Sequence, residues 1–280
     1  MSVQPQSVLI DGVPAASLPV TDRGLQYGDG LFETIAVLAG RARLWPWHLR
    51  RLGEGCARLG LAAPEASQLA AEVAALTAGE ARAVVKLIVT RGDARARGYG
   101  VSGSERTRRV LLRYPWAQPG AGARVRLARL RLGENPALAG LKHLNRLEQV
   151  LARREHTGSE YDESLLFSSS GALISGTMTN VFLVRAGRLV TPRLDRCGVA
   201  GVMRAALMAM AHADGTDIEQ GLLTEADLES CEEMFLTNAL TGIRPVTELA
   251  GRALPAGPLT QRLQRSLSEV LDGRRELQHG

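Results

Sequence analysis

Lysine is nearly missing from this 280-residue chain: of 34 basic residues only Lys86 and Lys142 are lysines. A bias toward arginine explains the scarcity but not the two that remain. Arginine stays charged, whereas a lysine amine can be tuned to lose its proton and attack a carbonyl. Cysteine is also sparse. Cys56, Cys197 and Cys231 are odd in number, scattered and without CxxC spacing, which argues against a disulfide framework or a zinc site and for a reducing, cytoplasmic compartment. Aromatics are only 4% of residues, and the arginines are dispersed, so the net charge of +5 does not read as a nucleic-acid surface. An anionic small-molecule substrate fits it better. No run of about 18 apolar residues occurs, so no membrane span is expected. The opening MSVQPQSVLIDG lacks the basic-then-apolar order of a signal peptide. GxSxG, HExxH and DxDxDG patterns are absent, the glycine-rich loop 21–34 is neither a GxGxxG fingerprint nor a P-loop, and no metal is expected. A Ser/His/Asp triad built from distant residues stays open, though nothing in the sequence points to one.

What is present reads as a mixed α/β (α+β) chain long enough for two modest cores. Residues 8–38 read as short strands around the glycine-rich loop TDRGLQYGDGLFET, 21–34. A helix is expected from Trp45 to Gly60, with Leu49, Leu52, Cys56 and Leu59 on one stripe, and an alanine-rich helix over 65–78. The run AVVKLIVT, 83–90, reads as a buried strand with Lys86 in its middle; that lysine either snorkels to solvent or faces an anion. The Pro/Gly-rich PWAQPGAGA, 115–123, is the linker expected between an N-terminal domain, 1–114, and a larger C-terminal one, 124–280. Beyond it Val125, Leu127, Leu130 and Leu132 mark a strand. Further strands are expected at Glu163–Phe167, Val181–Arg185 and Met234–Leu236, and helices at about Val202–His212 and at Leu259–Leu271. The stretch GLKHLNRLEQVL, 140–151, places Leu144, Leu147 and Leu151 at helical spacing, with Lys142 expected at the helix start, where the macrodipole disfavours a cation. The helix opening after GVAG, 198–201, offers free backbone N–H groups, a ready anion site. A scarce lysine, several arginines at loops and helix starts, and one such helix N-terminus suit a phosphorylated carbonyl cofactor held as a Schiff base.

The sequence resembles the fold-type IV pyridoxal-phosphate enzymes, and within them the lyases that act on 4-amino-4-deoxychorismate. The matching motifs are DRGLQYGDGLFET at 22–34, HLRRL at 48–52, TRGxxxxRGYG at 90–100, KHLNRLEQVLA at 142–152, GTMTNVF at 176–182, TPRLxxxGVAGVMR at 191–204 and LTNALTGIRPV at 236–246. They cover most of the chain. The first two are similar to D-amino-acid and branched-chain aminotransferases as well; KHLNRLEQVL is the most specific for the lyases.

The resemblance implies a two-domain, fold-type IV architecture with the cofactor between the domains, a cytoplasmic homodimer, and a step in folate biosynthesis. It implies that Lys142 holds the cofactor and later moves the proton. It also implies that Arg51, with the backbone N–H groups of Val202 and Met203, binds the phosphate, and that Asn238 joins the cofactor set. Lys86, Arg97, Tyr99 and Tyr27 would face the substrate and its carboxylates. One position departs from the pattern. Where relatives carry a glutamate toward the pyridine nitrogen, this chain has Ser175. A neutral partner makes a weaker electron sink, which costs a transamination more than an elimination driven by aromatisation, and leaves open a loss of turnover.

Overall fold

Alternation along the strands builds the first unit around one sheet and two helices. The computed structural model describes residues 4–94, 97–103, 105–117, 120–216, 218–275 and 277. The described chain divides into two units, one of 1–117 with 142–145, the other of 118–141 with 146–280. Of the expected linker 115–123, residues 118 and 119 lie outside the described residues.

In the first unit β1 (Ser7–Ile10), β2 (Val13–Pro14), β3 (Gly30–Leu38), β4 (Arg41–Ala42), β5 (Arg82–Thr90) and β6 (Arg108–Tyr114) form an antiparallel sheet in the order β2-β1-β6-β5-β3-β4. The short helix α1 (Arg23–Tyr27) precedes β3, and α2 (Trp45–Leu59) and α3 (Ala66–Leu76) follow β4. Pro46 opens α2, where its missing N–H costs nothing, and Gly60, in the left-handed region, stops it. Leu52 and Cys56 of α2 and Leu69, Val73 and Leu76 of α3 pack with Leu31, Ile35, Val37, Val85, Leu87 and Leu111 of the sheet. Because side chains alternate along a strand, Phe32 and Thr34, opposite Ile88 and Lys86, fall on the other face. Burial raises the Cys56 thiol to about 11, which makes it inert core.

The second unit holds β7 (Ala123–Leu132), α4 (Leu147–Arg154), β8 (Glu163–Ser168), β9 (Leu173–Gly176), β10 (Asn180–Arg185), β11 (Arg188–Pro192), α5 (Val202–Ala213), β12 (Ile218–Gly221), α6 (Glu225–Glu229), β13 (Glu233–Asn238), β14 (Gly242–Leu249), β15 (Arg252–Ala253) and α7 (Pro258–Leu271). Its sheet runs β12-β11-β10-β13-β14-β7-β8-β9, with β15 on β14. Phe182 and Phe235 stack at 4.9 Å within it. The apolar positions of β7 change parity between Leu127 and Leu130 because both faces of the strand are covered: Val125 and Leu127 pack with Leu165 and Phe167, Leu130 and Leu132 with Leu166 and Ile174.

Two expectations around Lys142 are corrected. The helix begins at Leu147, after a non-helical Arg146 (φ −120°, ψ 21°), so Lys142 does not sit at its start. Leu147 and Leu151 are exposed, and the helix buries Ala152 instead. Residues 142–145 also belong to the first unit rather than to the expected C-terminal domain. Backbone pairing is the reason: Phe32 N–H donates to the Lys142 carbonyl and Leu144 N–H to that of Gly30, both at 3.0 Å.

Candidate functional site

The pairing just described fixes Lys142 against β3 by its backbone, leaving its side chain to reach over the sheet face that carries Phe32. Its Nζ lies 4.2 Å from the Phe32 ring centroid. The Nζ of Lys86, on the same face from β5, lies 5.4 Å from that centroid. The only two lysines of the chain thus converge on one aromatic ring, within the range of cation–π attraction.

Beneath, on the α2 side, sits a buried charge group that sequence reading missed. Glu33 is 2% exposed. Its carboxylate accepts from Arg51 Nε at 2.8 Å and from Arg51 Nη2, a bidentate pairing. It also meets His48 Nδ1 at 2.6 Å. Burial alone would raise the Glu33 carboxyl, but the charges and hydrogen bonds of Arg51 and His48 together outweigh it and hold it at about 2. Burial pushes the His48 pKa down, with Arg51 and Lys142 adding to the effect. A neutral His48 beside an ionised Glu33 must donate through Nδ1. That leaves Nε2 as a buried acceptor with no hydrogen-bond partner among the described residues. Glu33 was legible as a charge on the core parity of an apolar strand, set with Leu31, Ile35 and Val37.

Around the glycine-rich loop, Thr21, Gln26, Tyr27, Arg97, Gly98 and Tyr99 line a pocket of about 650 Å³. Tyr27 and Tyr99 meet edge to face at 5.4 Å. The first unit therefore brings Tyr27, Arg97 and Tyr99 together, and separately Lys86 with Lys142.

In the second unit, Val202 and Met203 open α5, their side chains buried. No side chain caps this terminus, so its first N–H groups remain available to an anion. Two residues fix the approach. Asn180 Nδ2 donates to the Val199 carbonyl at 2.9 Å, and its Oδ1 sits where a Cβ on Gly201 would be, so only glycine fits there. Arg204 turns back to the Pro192 carbonyl at 3.0 Å and to Gln220 Oε1 at 2.9 Å. Ser175 lies in β9 opposite Leu166 and is buried. The buried Glu163 beside that strand is engaged elsewhere: it accepts from Thr177 N–H at 3.0 Å, from the Thr177 hydroxyl and from Met178 N–H at 3.3 Å. It thereby fixes the turn after β9. Asn238 turns its Oδ1 inward to accept from the N–H groups of Leu240 and Thr241, at 3.0 and 2.9 Å.

In the first unit a lysine amine over an aromatic ring suits an aldehyde, and in the second the uncapped α5 terminus suits an anion. The amino-transferase class IV family profile matches residues 30–249, and the chain belongs to that family. Within it, the chain is similar to aminodeoxychorismate lyase from Vibrio harveyi, at 32% identity over 92% of this chain and 98% of the relative. It is also similar to the crystal structure of 4-amino-4-deoxychorismate lyase from Pseudomonas aeruginosa, at 45% identity and a TM-score of 0.89, covering 95% of this chain and 99% of that one. A branched-chain aminotransferase from Thermoproteus uzoniensis, at 22% identity, TM-score 0.86 and coverage of 98% and 97%, shares the fold.

Proposed function

We propose that the chain eliminates pyruvate from 4-amino-4-deoxychorismate to give 4-aminobenzoate, with pyridoxal phosphate as cofactor. Two lysine amines set on Phe32, in a chain similar to such lyases over more than nine-tenths of its length, carry the reading. When bound, pyridoxal phosphate supplies an aldehyde that condenses with amines and a ring that accepts electrons. Lys142 would hold that aldehyde and, with substrate in place, would be the base that takes the proton from the amine-bearing ring carbon. The electron pair left behind forms the new ring double bond as the neighbouring C–O bond breaks, and the departing enolate takes up a proton to become pyruvate. Arg51 and the N–H groups of Val202 and Met203 bind the phosphate. Ser175 gives the pyridine nitrogen a neutral partner, and Asn238 shapes the turn beside the cofactor. Lys86, Arg97, Tyr99 and Tyr27 receive the substrate and its carboxylates. The same resemblance carries the expectation of a cytoplasmic homodimer, which light scattering would register as twice the chain mass.

Purified protein given enzymatically made aminodeoxychorismate is expected to release pyruvate and 4-aminobenzoate in equal amounts. Borohydride reduction is expected to leave the pyridoxyl label on Lys142. Keto-acid-dependent amino transfer without pyruvate release would instead support an aminotransferase, and a label mainly on Lys86 would move the reactive amine there.

A further inference from the structure

The loop that carries Arg97 and Tyr99 is held from below by one buried side chain. Among the described residues, the backbone of 97–101 makes no hydrogen bond to other backbone. Tyr99 and Val101 are exposed, at 84% and 54%. A loop with so few bonds of its own is expected to sample many conformations. Yet three consecutive carbonyls converge on Arg23, which is 4% exposed. Its Nη1 donates to the Gly98 and Gly100 carbonyls at 3.3 and 3.2 Å, and its Nη2 to that of Tyr99 at 3.1 Å.

The guanidinium is itself held. Its Nε donates to Asp29 Oδ2 at 2.9 Å, and its face lies 5.0 Å from the Tyr27 ring centroid. Asp29 in turn accepts from Arg91 Nε at 2.8 Å and Nη2 at 3.1 Å. Arg91 reaches on to the Leu59 and Gly60 carbonyls at the end of α2, at 2.7 and 2.9 Å. Burial would raise the Asp29 carboxyl, but Arg91 and Arg23 hold it low, so it stays ionised. A rigid line therefore runs from α2 through Arg91, Asp29 and Arg23 to the loop. A planar guanidinium can serve three separated carbonyls and a carboxylate at once; a lysine ammonium, a single point, cannot.

We propose that Arg23 is a positioning residue for substrate recognition: it fixes the backbone of 98–100 so that Arg97 and Tyr99 stand ready beside Tyr27, a role that rests on the substrate assignment above. Preorganising the loop removes the cost of ordering it when substrate arrives.

Arg23→Lys in the holoenzyme tests this. Chymotryptic cleavage after the exposed Tyr99 should speed up several-fold while β3 and α2 stay uncut. KM for aminodeoxychorismate should rise about tenfold, the size of one lost charge-assisted contact, while kcat stays within about twofold and cofactor absorbance is unaltered. Cleavage after Tyr99 at the wild-type rate, faster cleavage throughout the first unit, or a fall in kcat at constant KM would each overturn the proposal. If the wild type lacks lyase activity, the functional reading fails while the cleavage experiment still decides the clamp. Should Arg23→Lys not fold, Tyr27→Leu removes the ring under the guanidinium and keeps its hydrogen bonds. It should show a smaller increase in cleavage confined to Tyr99, and none there would count against the clamp.

Discussion

In the first unit the candidate residues are charged side chains fixed by other charged side chains; in the second they are backbone amides and small neutral groups fixed by turns. Arg51 is oriented by Glu33 and His48, and Arg23 by Asp29. Against them stand the first N–H groups of α5, whose approach is set by Asn180 and a glycine, and the hydroxyl of Ser175. The difference is one of stakes. A buried carboxylate that loses its partner retains a desolvation penalty of several kcal/mol, whereas a turn that loses one hydrogen bond gives up about 1 kcal/mol. The first unit should therefore be brittle to single substitutions at its site, and the second tolerant.

Glu33→Gln is the sharpest way to break that contrast. It leaves Arg51 facing a neutral amide and only one acceptor oxygen for the donors Arg51 Nε, Arg51 Nη2 and His48 Nδ1–H, so a loss of about 3–5 kcal/mol in unfolding free energy is expected. The acid limb gives a second reading. With its folded pKa near 2, against an ordinary 4.5, Glu33 contributes stability that is present above pH 4.5 and lost as pH falls from there through 2. His48, lowered from 6.5 by burial, is protonated more readily in the unfolded chain, so its own loss of stability begins as pH falls below 6.5. Urea unfolding across pH should show the wild type losing stability in both windows, and Glu33→Gln should lose less between 4.5 and 2. A variant with the same slope there, or as stable as the wild type, would remove the claim of brittleness.

A smaller effect separates two neighbours on α2. Arg51→Lys keeps a positive charge beside Glu33 but gives up bidentate geometry, so any loss of cofactor affinity reports on phosphate recognition. About 1.5–3 kcal/mol is expected, roughly ten- to a hundredfold. Arg50 is exposed and lies over the Trp47 ring at 5.3 Å, so Arg50→Ala should change cofactor affinity little. Equal cofactor dissociation constants for the two variants, measured by absorbance titration, would contradict the placing of the phosphate at Arg51.

The two units also differed in how far their sequence could be read. The α2 stripe and the helix end at Gly60 are local patterns, and the structure contains both. The family motifs marked where the candidate residues lie. What escaped is long-range. The spacing of Leu144, Leu147 and Leu151 is helical, but residues 142–144 pair with β3, more than a hundred residues earlier, and nothing in their own composition announces that. Arg23 carries no local sign of reaching carbonyls 75–77 positions away. Asn238 could have been read better, since an asparagine opening TNALTG is an Asx-turn signature, and its Oδ1 closes that turn.

The smallest expected effect sharpens the comparison from the second unit. Ser175 is buried in β9, and the neighbouring carboxylate, Glu163, is engaged with residues 177 and 178. If Ser175 faces the pyridine nitrogen, as the family resemblance implies, a hydroxyl leaves that nitrogen largely unprotonated. Ser175→Glu would favour protonation through charge attraction and strengthen the ring as an electron sink. The electron pair left by proton removal would then be held longer, long enough for a proton to return to the cofactor rather than for the C–O bond to break. The ratio of amino transfer to pyruvate release should rise, even where total turnover falls. An added buried carboxylate carries a folding cost of its own, so cofactor content is matched to the wild type before products are compared. In a fully loaded variant, an unchanged ratio would show that Ser175 does not set the reaction's course, and the neutral character of the second unit would then be structural rather than chemical.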